Sequence, residues 1–305
     1  MEIWFSLYRW LIRYLLLLFG VSGSVIGTIL FSNKKMKKFP ARRMYRFLLI
    51  IDAIYLTSQI VEDTMNMLGF RLRFLSNIIC KIYIYYNFSV GPISAWVLLF
   101  ISIDRCIIIA FKGFKIIRKP RFQNLMIVLI ISYNILFYSP YLVFIELTIT
   151  QMNETNNTQL SFLCDFTQEY YSKILYMSDL VNSTLIPFLL MFLTSIVLIY
   201  SIIRTRLNIL NLTLEQDKKK LRKDIHFAVT ILFLDFSFFI LNLPICLANY
   251  FFIDSIDNIL YGVFTYLFYL SFCINFYILA LFNSVFKKEL FVFFKFLKCK
   301  QNNAS

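Results

Sequence analysis

The chain has 305 residues, is 59% hydrophobic and 16% charged, and sets 35 Phe and 19 Tyr against 7 Gly and 6 Pro, a balance that excludes an ordinary water-soluble domain. Its formal charge of +14 would suit nucleic acid in a soluble protein, but the charge lies in clusters between long apolar runs, which points to a membrane and to no nucleic-acid partner. The single histidine, His226, excludes a zinc centre built on several histidines, and no nucleophile and base pair up to suggest an enzyme.

A helix crossing hydrocarbon needs roughly 20 mostly apolar residues. Such runs cover 10–31, 47–67, 77–110, 124–147, 174–203, 225–252 and 259–282, which predicts an all-α integral membrane protein with seven transmembrane helices. The first run passes directly into the basic cluster at Lys34 and is longer than a signal-peptide core, so it is expected to remain as a helix. The third, fifth and sixth exceed the bilayer and should tilt or project into water, with 215–224 extending the sixth helix. Beyond the seventh, Phe286, Leu290, Phe293, Phe294 and Leu297 recur at helical spacing among lysines, predicting a short amphipathic eighth helix over 284–297 on the membrane surface. No linker, low-complexity tract or internal repeat interrupts 1–305, so one membrane domain is expected.

Alternate connections hold 25 of the 31 basic residues: the first and third inner loops, the segment after the third helix, and the tail. The positive-inside rule then places the tail in the cytoplasm and the N-terminus outside, as in a multi-pass plasma-membrane protein. On that topology Cys80 and Cys164 are the two cysteines facing the oxidising side, and a disulfide between them is expected, the alternative being two free thiols. The same outer loop carries the glycosylation acceptors Asn153 and Asn156, whereas the similar patterns at Asn87, Asn182 and Asn211 fall in helices or inside. Cys299, at the end of the tail helix, is a candidate for palmitoylation.

Ser102-Ile103-Asp104-Arg105-Cys106 closes the third run, 25 residues after Cys80. At 1.5 Å per residue the two ends lie roughly 37 Å apart, on opposite faces of the bilayer. Alone, Asp104 and Arg105 would read as an interfacial pair with the arginine reaching for headgroups. With Asp52 in the second helix, Pro140, Pro187 and Pro244 in the fourth, fifth and sixth, and Asn275-Phe276-Tyr277-Ile278-Leu279 before Phe286-Lys287-Lys288, the chain resembles the rhodopsin-like (class A) G-protein-coupled receptors. It departs from them at Cys106 for Tyr, Ser24 for Asn, Asn242 for Trp, a missing fourth-helix Trp, and Asn275-Phe-Tyr-Ile-Leu279 for Asn-Pro-x-x-Tyr. The seventh-helix ending loosely resembles that of invertebrate neuropeptide receptors of the FMRFamide type.

The resemblance implies a cell-surface receptor that binds an extracellular ligand and couples to a heterotrimeric G protein through movement of helices three and six. Asp104, Arg105, Asp224 and Asn275 would serve activation, with Asp224 latching Arg105 or else simply favouring a helix N-terminus. Asp52 would face Ser94, Ser271 and Asn275, oxygens that suit an allosteric sodium ion, a water network or a structural polar cluster. No other cofactor is implied. On the outer half, Glu62, Asp63, Asn87, Phe88, Gly91, Asp179, Asn182, Asn242, Asn249 and Tyr269 form a candidate ring for a cationic ligand, a short basic peptide being favoured. Asn87 stands where amine receptors of the family carry Asp, which disfavours a simple monoamine. The alternatives are a receptor-like protein that no longer couples and a chemosensory channel or transporter.

Overall fold

The computed structural model describes residues 2–34, 36, 39, 41–110, 119–154, 157–209, 215–251 and 258–302. Seven of its helical spans are long and apolar enough to cross a membrane. The elements are α1 (Glu2–Ser32), α2 (Arg42–Met67), α3 (Asn77–Ala110), α4 (Pro120–Phe137), the single turn α5 (Tyr141–Phe144), a hairpin of β1 (Ile145–Glu154) and β2 (Asn157–Phe166), α6 (Glu169–Asp179), a π-helical turn Leu180–Leu185, α7 (Ile186–Ile209), α8 (Glu215–Phe251), α9 (Asn258–Phe282) and α10 (Ser284–Asn302). α6, the π turn and α7 together make the fifth span.

Lipid explains which side chains face outward. α3 is mostly enclosed, whereas α4 and the fifth span turn much of their surface away from the bundle. Leu125, Val128, Leu129, Leu189, Phe192, Leu193 and Ile196 are exposed there, as the hydrocarbon phase allows. On the first helix Gly20, Gly23 and Gly27 form a smooth seam: a Cβ on Gly23 would stand 2.8 Å from the Phe276 ring of α9, and one on Gly27 would meet Leu49 of α2. Backbone proximity of this kind is how helices gain contact where the solvent is as apolar as they are.

The helix ends are closed by side chains. Arg42 donates from Nε to the Phe31 carbonyl and from a terminal nitrogen to the Ser32 carbonyl at 2.9 Å, serving the orphan acceptors at the end of α1. Asn283 Oδ1 accepts from the Val285 and Phe286 amides at 3.2 and 3.1 Å and so caps α10. The Phe286 ring then packs 5.2 Å from Phe31 and 5.8 Å from Phe276, binding α10 to α1 and α9.

Two features depart from the sequence expectation. The fourth helix, expected to 147, ends at Phe137, because Pro140 cannot donate a helical hydrogen bond to the Leu136 carbonyl, which the Ser139 amide takes instead at 3.3 Å. The chain re-forms one turn and enters an antiparallel hairpin in which Ile145 pairs with Phe166 and Leu147 with Cys164. In β1 Ile145, Leu147 and Ile149 alternate with Glu146, Thr148 and Thr150, the period of a half-buried strand. The Cys80–Cys164 disulfide, with Cα atoms 5.9 Å apart, fastens the hairpin to the start of α3, and the Leu147 amide donates to Asn77 Oδ1 at 3.0 Å. The second departure is the π turn just before Pro187, which absorbs the helical bond that proline cannot make.

Candidate functional site

A cavity of about 200 Å³ lies within the bundle on the hairpin side, between α2, α3, the fifth span, α8 and α9. The backbone is irregular on three of its walls. In α3 Pro92 leaves the Phe88 carbonyl without its helical donor, in the fifth span the π turn brings Ser183 and Thr184 to the wall, and in α8 Pro244 follows Asn242. Such breaks present polar backbone and side-chain groups to a cavity at membrane depth.

Seven of the ten residues expected in the ligand ring line this cavity: Asn87, Phe88, Gly91, Asp179, Asn242, Asn249 and Tyr269. The other three are engaged elsewhere. Asp63 forms a 2.6 Å ion pair with Arg13 of α1, whose guanidinium lies 5.4 Å from the Tyr269 ring, and neighbouring Glu62 is likewise outside the lining. Asn182 turns toward α4, accepting from Tyr133 at 2.7 Å and donating to Tyr138 Oη at 3.2 Å.

Asp179 is therefore the one carboxylate in the lining among the described residues. Tyr138 donates to its Oδ1 at 2.7 Å, fixing its orientation from α4. Gln59, which sequence reading did not single out, ties the floor: its Nε2 donates to Asn87 Oδ1 at 2.5 Å, and Tyr269 donates to its Oε1 at 3.1 Å, so α2, α3 and α9 share one chain of hydrogen bonds. Tyr261 closes the rim by donating to Asn249 Oδ1 at 3.0 Å. Cys246 is half-buried beside Thr184, with sulfur and hydroxyl 3.0 Å apart.

Deeper in the bundle, Asp52 is fully enclosed and met by two donors, Ser94 Oγ on Oδ1 and Asn275 Nδ2 on Oδ2, each at 2.8 Å. Ser271, expected to join them, instead donates to the Phe268 carbonyl at 2.7 Å and toward Asn242 Oδ1 at 3.4 Å. Asp52 is thus tied to α3 and α9 by one hydrogen bond each, an interhelical polar cluster that Ser271 does not join.

At the opposite end Arg105 and Asp104 form a 3.2 Å ion pair and are 3% and 0% exposed. Asp224 lies on the extension of α8, and its side chain is outside the described residues, as are those of Asn153 and Cys299 and the whole of Asn156. Asp235, about three turns further into α8, is enclosed: Ser102 of α3 donates to it at 2.7 Å and Ser195 of α7 at 3.1 Å.

Seven membrane-spanning helices, a disulfide-fastened hairpin at one end with a cavity beneath it, and a buried Asp-Arg pair at the other define a seven-helix membrane receptor. The chain matches the family model of the 7 transmembrane receptor (rhodopsin family) over residues 23–280 and belongs to that family. It is accordingly a G-protein-coupled receptor of the plasma membrane and not an enzyme. No curated protein matches it.

Proposed function

We propose that this receptor lies with its hairpin end outside the cell and takes the cationic end of a short peptide into the cavity. The observation that carries the reading is the lining, in which the described residues set one carboxylate, Asp179, among the amides of Asn87, Asn242 and Asn249 and the rings of Tyr55, Phe88, Phe268 and Tyr269. An acid with aromatic faces holds a cation, and amides pair with peptide groups. About 200 Å³ is less than the roughly 300–1,000 Å³ that encloses a drug-sized ligand, so the cavity suits one end of a peptide, the rest lying against the hairpin. With Asn87 on α3 and the acid on the fifth span, the charge is on the opposite wall from the one that grips simple amines. The basic clusters at the other end support the orientation, and there Arg105, with the start of α8 and Asp224, would meet the heterotrimeric G protein when α8 moves against α3.

The test is a G-protein dissociation assay on surface-expressed receptor, screened with short basic and amidated peptides, comparing wild type with Asp179→Asn and Arg105→Ala. Losing a charged acceptor weakens binding by about tenfold or more. The expected result is an agonist whose potency falls by that factor in Asp179→Asn and whose response disappears in Arg105→Ala. An agonist indifferent to Asp179 would overturn the placement of the cation. A surface-expressed wild type with no response and no basal signal dependent on Arg105 would overturn coupling and favour a receptor-like protein that no longer signals.

A further inference from the structure

The Asp235 carboxyl belongs neither to the ligand cavity nor to the Asp104–Arg105 pair. It lies about 10 Å into the apolar span that begins at Ala228, is 6% exposed, and joins three helices. Ser102 Oγ of α3 reaches both oxygens, at 2.7 and 2.9 Å, and Ser195 Oγ of α7 reaches Oδ2 at 3.1 Å. An acid at membrane depth is costly unless paired, and a leucine would pack there without that cost. Both hydroxyls arrive from helices other than the acid's own, so the knot depends on the relative position of α3, α7 and α8.

We infer that Asp235 is a positioning residue for signal transmission: its hydrogen bonds to Ser102 and Ser195 set the resting position of α8, and coupling requires their release. The inference rests on the reading that α8 moves against α3. Leverage favours this role. Pro244 is the hinge available to α8, with Asp235 nine residues and the helix start at Glu215 twenty-nine residues before it, about 13 and 43 Å along the axis. A displacement of about 1.5 Å at Asp235 breaks a hydrogen bond, and a rigid swing about Pro244 carries that to about 5 Å at the start of α8. Contacts of such short range, placed partway along the lever, discriminate between two positions of the helix more sharply than apolar packing does. Arg105 lies three residues beyond Ser102, on the same face of α3, so the knot sits one turn from the pair that would meet the G protein.

The test uses the full-length receptor in cells and in nanodiscs, with Asp235→Leu, Asp235→Asn, Ser102→Ala and Ser195→Ala. At matched surface levels, Asp235→Leu is expected to raise basal G-protein dissociation about fivefold to tenfold, and each serine variant about twofold to threefold. Asp235→Asn, which keeps an acceptor oxygen, is expected to stay near wild type. In parallel, electron–electron resonance distances between a spin label on the first turn of α8 and one at Arg121 on α4 should lengthen in Asp235→Leu and not in Asp235→Asn. Unchanged distances in Asp235→Leu and both serine variants overturn the inference. Lengthened distances without any signal from wild type or variant uphold the role of Asp235 in setting the resting position of α8 and overturn its role in coupling together with the coupling reading. If Asp235→Leu does not reach the surface, the two serine variants, which remove one hydroxyl each and disturb little packing, decide the matter by the same distances.

Discussion

Asp63 and Asp179 are both carboxylates near the hairpin end, and their neighbours send them to different tasks. Asp63 is bound to Arg13 across the α1–α2 interface, while Asp179 is oriented by Tyr138 and lines the cavity. Cys246 reports on that difference, since its thiol shares the cavity wall with Asp179. A cationic, membrane-impermeant methanethiosulfonate applied from outside should modify Cys246 on the order of tenfold faster than its anionic counterpart. The preference should vanish in Asp179→Asn, and the labelling itself in Cys246→Ser; equal rates for the two reagents in wild type would show that Asp179 does not set the field of the cavity. Seven of the ring residues could be read from the chain because their helical positions place them on one inner face. The other three could not, because Arg13 and Tyr133 lie on α1 and α4, far along the sequence, and only packing decides which polar partner each acid or amide finds. Ser271 illustrates the same limit: its nearest acceptor is the carbonyl three residues behind it, a local competitor that no spacing rule weighs against Asp52.

Among the elements, the seven spans were legible because hydrocarbon demands long apolar runs, and the extension of α8 because 215–224 continues the run without a breaker. The hairpin was not, since Ile145–Leu147 continues the apolar run of the fourth helix, and the alternation that marks a strand begins inside it. Proline also acted locally: Pro140 ended a helix, Pro187 was absorbed by a π turn, and Pro92 and Pro244 stayed inside α3 and α8. The seam between α1 and α9 gives an element-level prediction. Gly23→Val places a branched side chain against the buried Phe276 ring and should destabilise the bundle by about 1–3 kcal/mol. Thermal denaturation of purified receptor in detergent measures this, and a melting temperature equal to wild type would show that α1 shifts freely against α9.

For the whole molecule, charge and hairpin lead to the same direction. The basic residues gather at the Arg105 end, and the disulfide and hairpin mark the other. If that end is outside, Asn153 and Asn156 are open to the glycosylation machinery. Glycosidase treatment of receptor from cells should then raise its gel mobility by two steps, reduced to one in Asn153→Gln or Asn156→Gln and none in the double variant. A mobility insensitive to the enzyme would place the hairpin on the cytoplasmic side. Surface biotinylation of the double variant separates that outcome from a failure of export.

The cap that Arg42 places on α1 bears on how the molecule is made. Its guanidinium serves the last carbonyls of the first helix from the opening residue of the second, so the pair needs no later part of the chain to close that end. α1 and α2 also leave the ribosome ahead of the other spans described, and with the hairpin end outside, the lysines between them would hold their shared turn on the cytoplasmic face. The two helices can thus enter the bilayer as a ready-formed antiparallel couple, a template against which the glycines of α1 later receive α9.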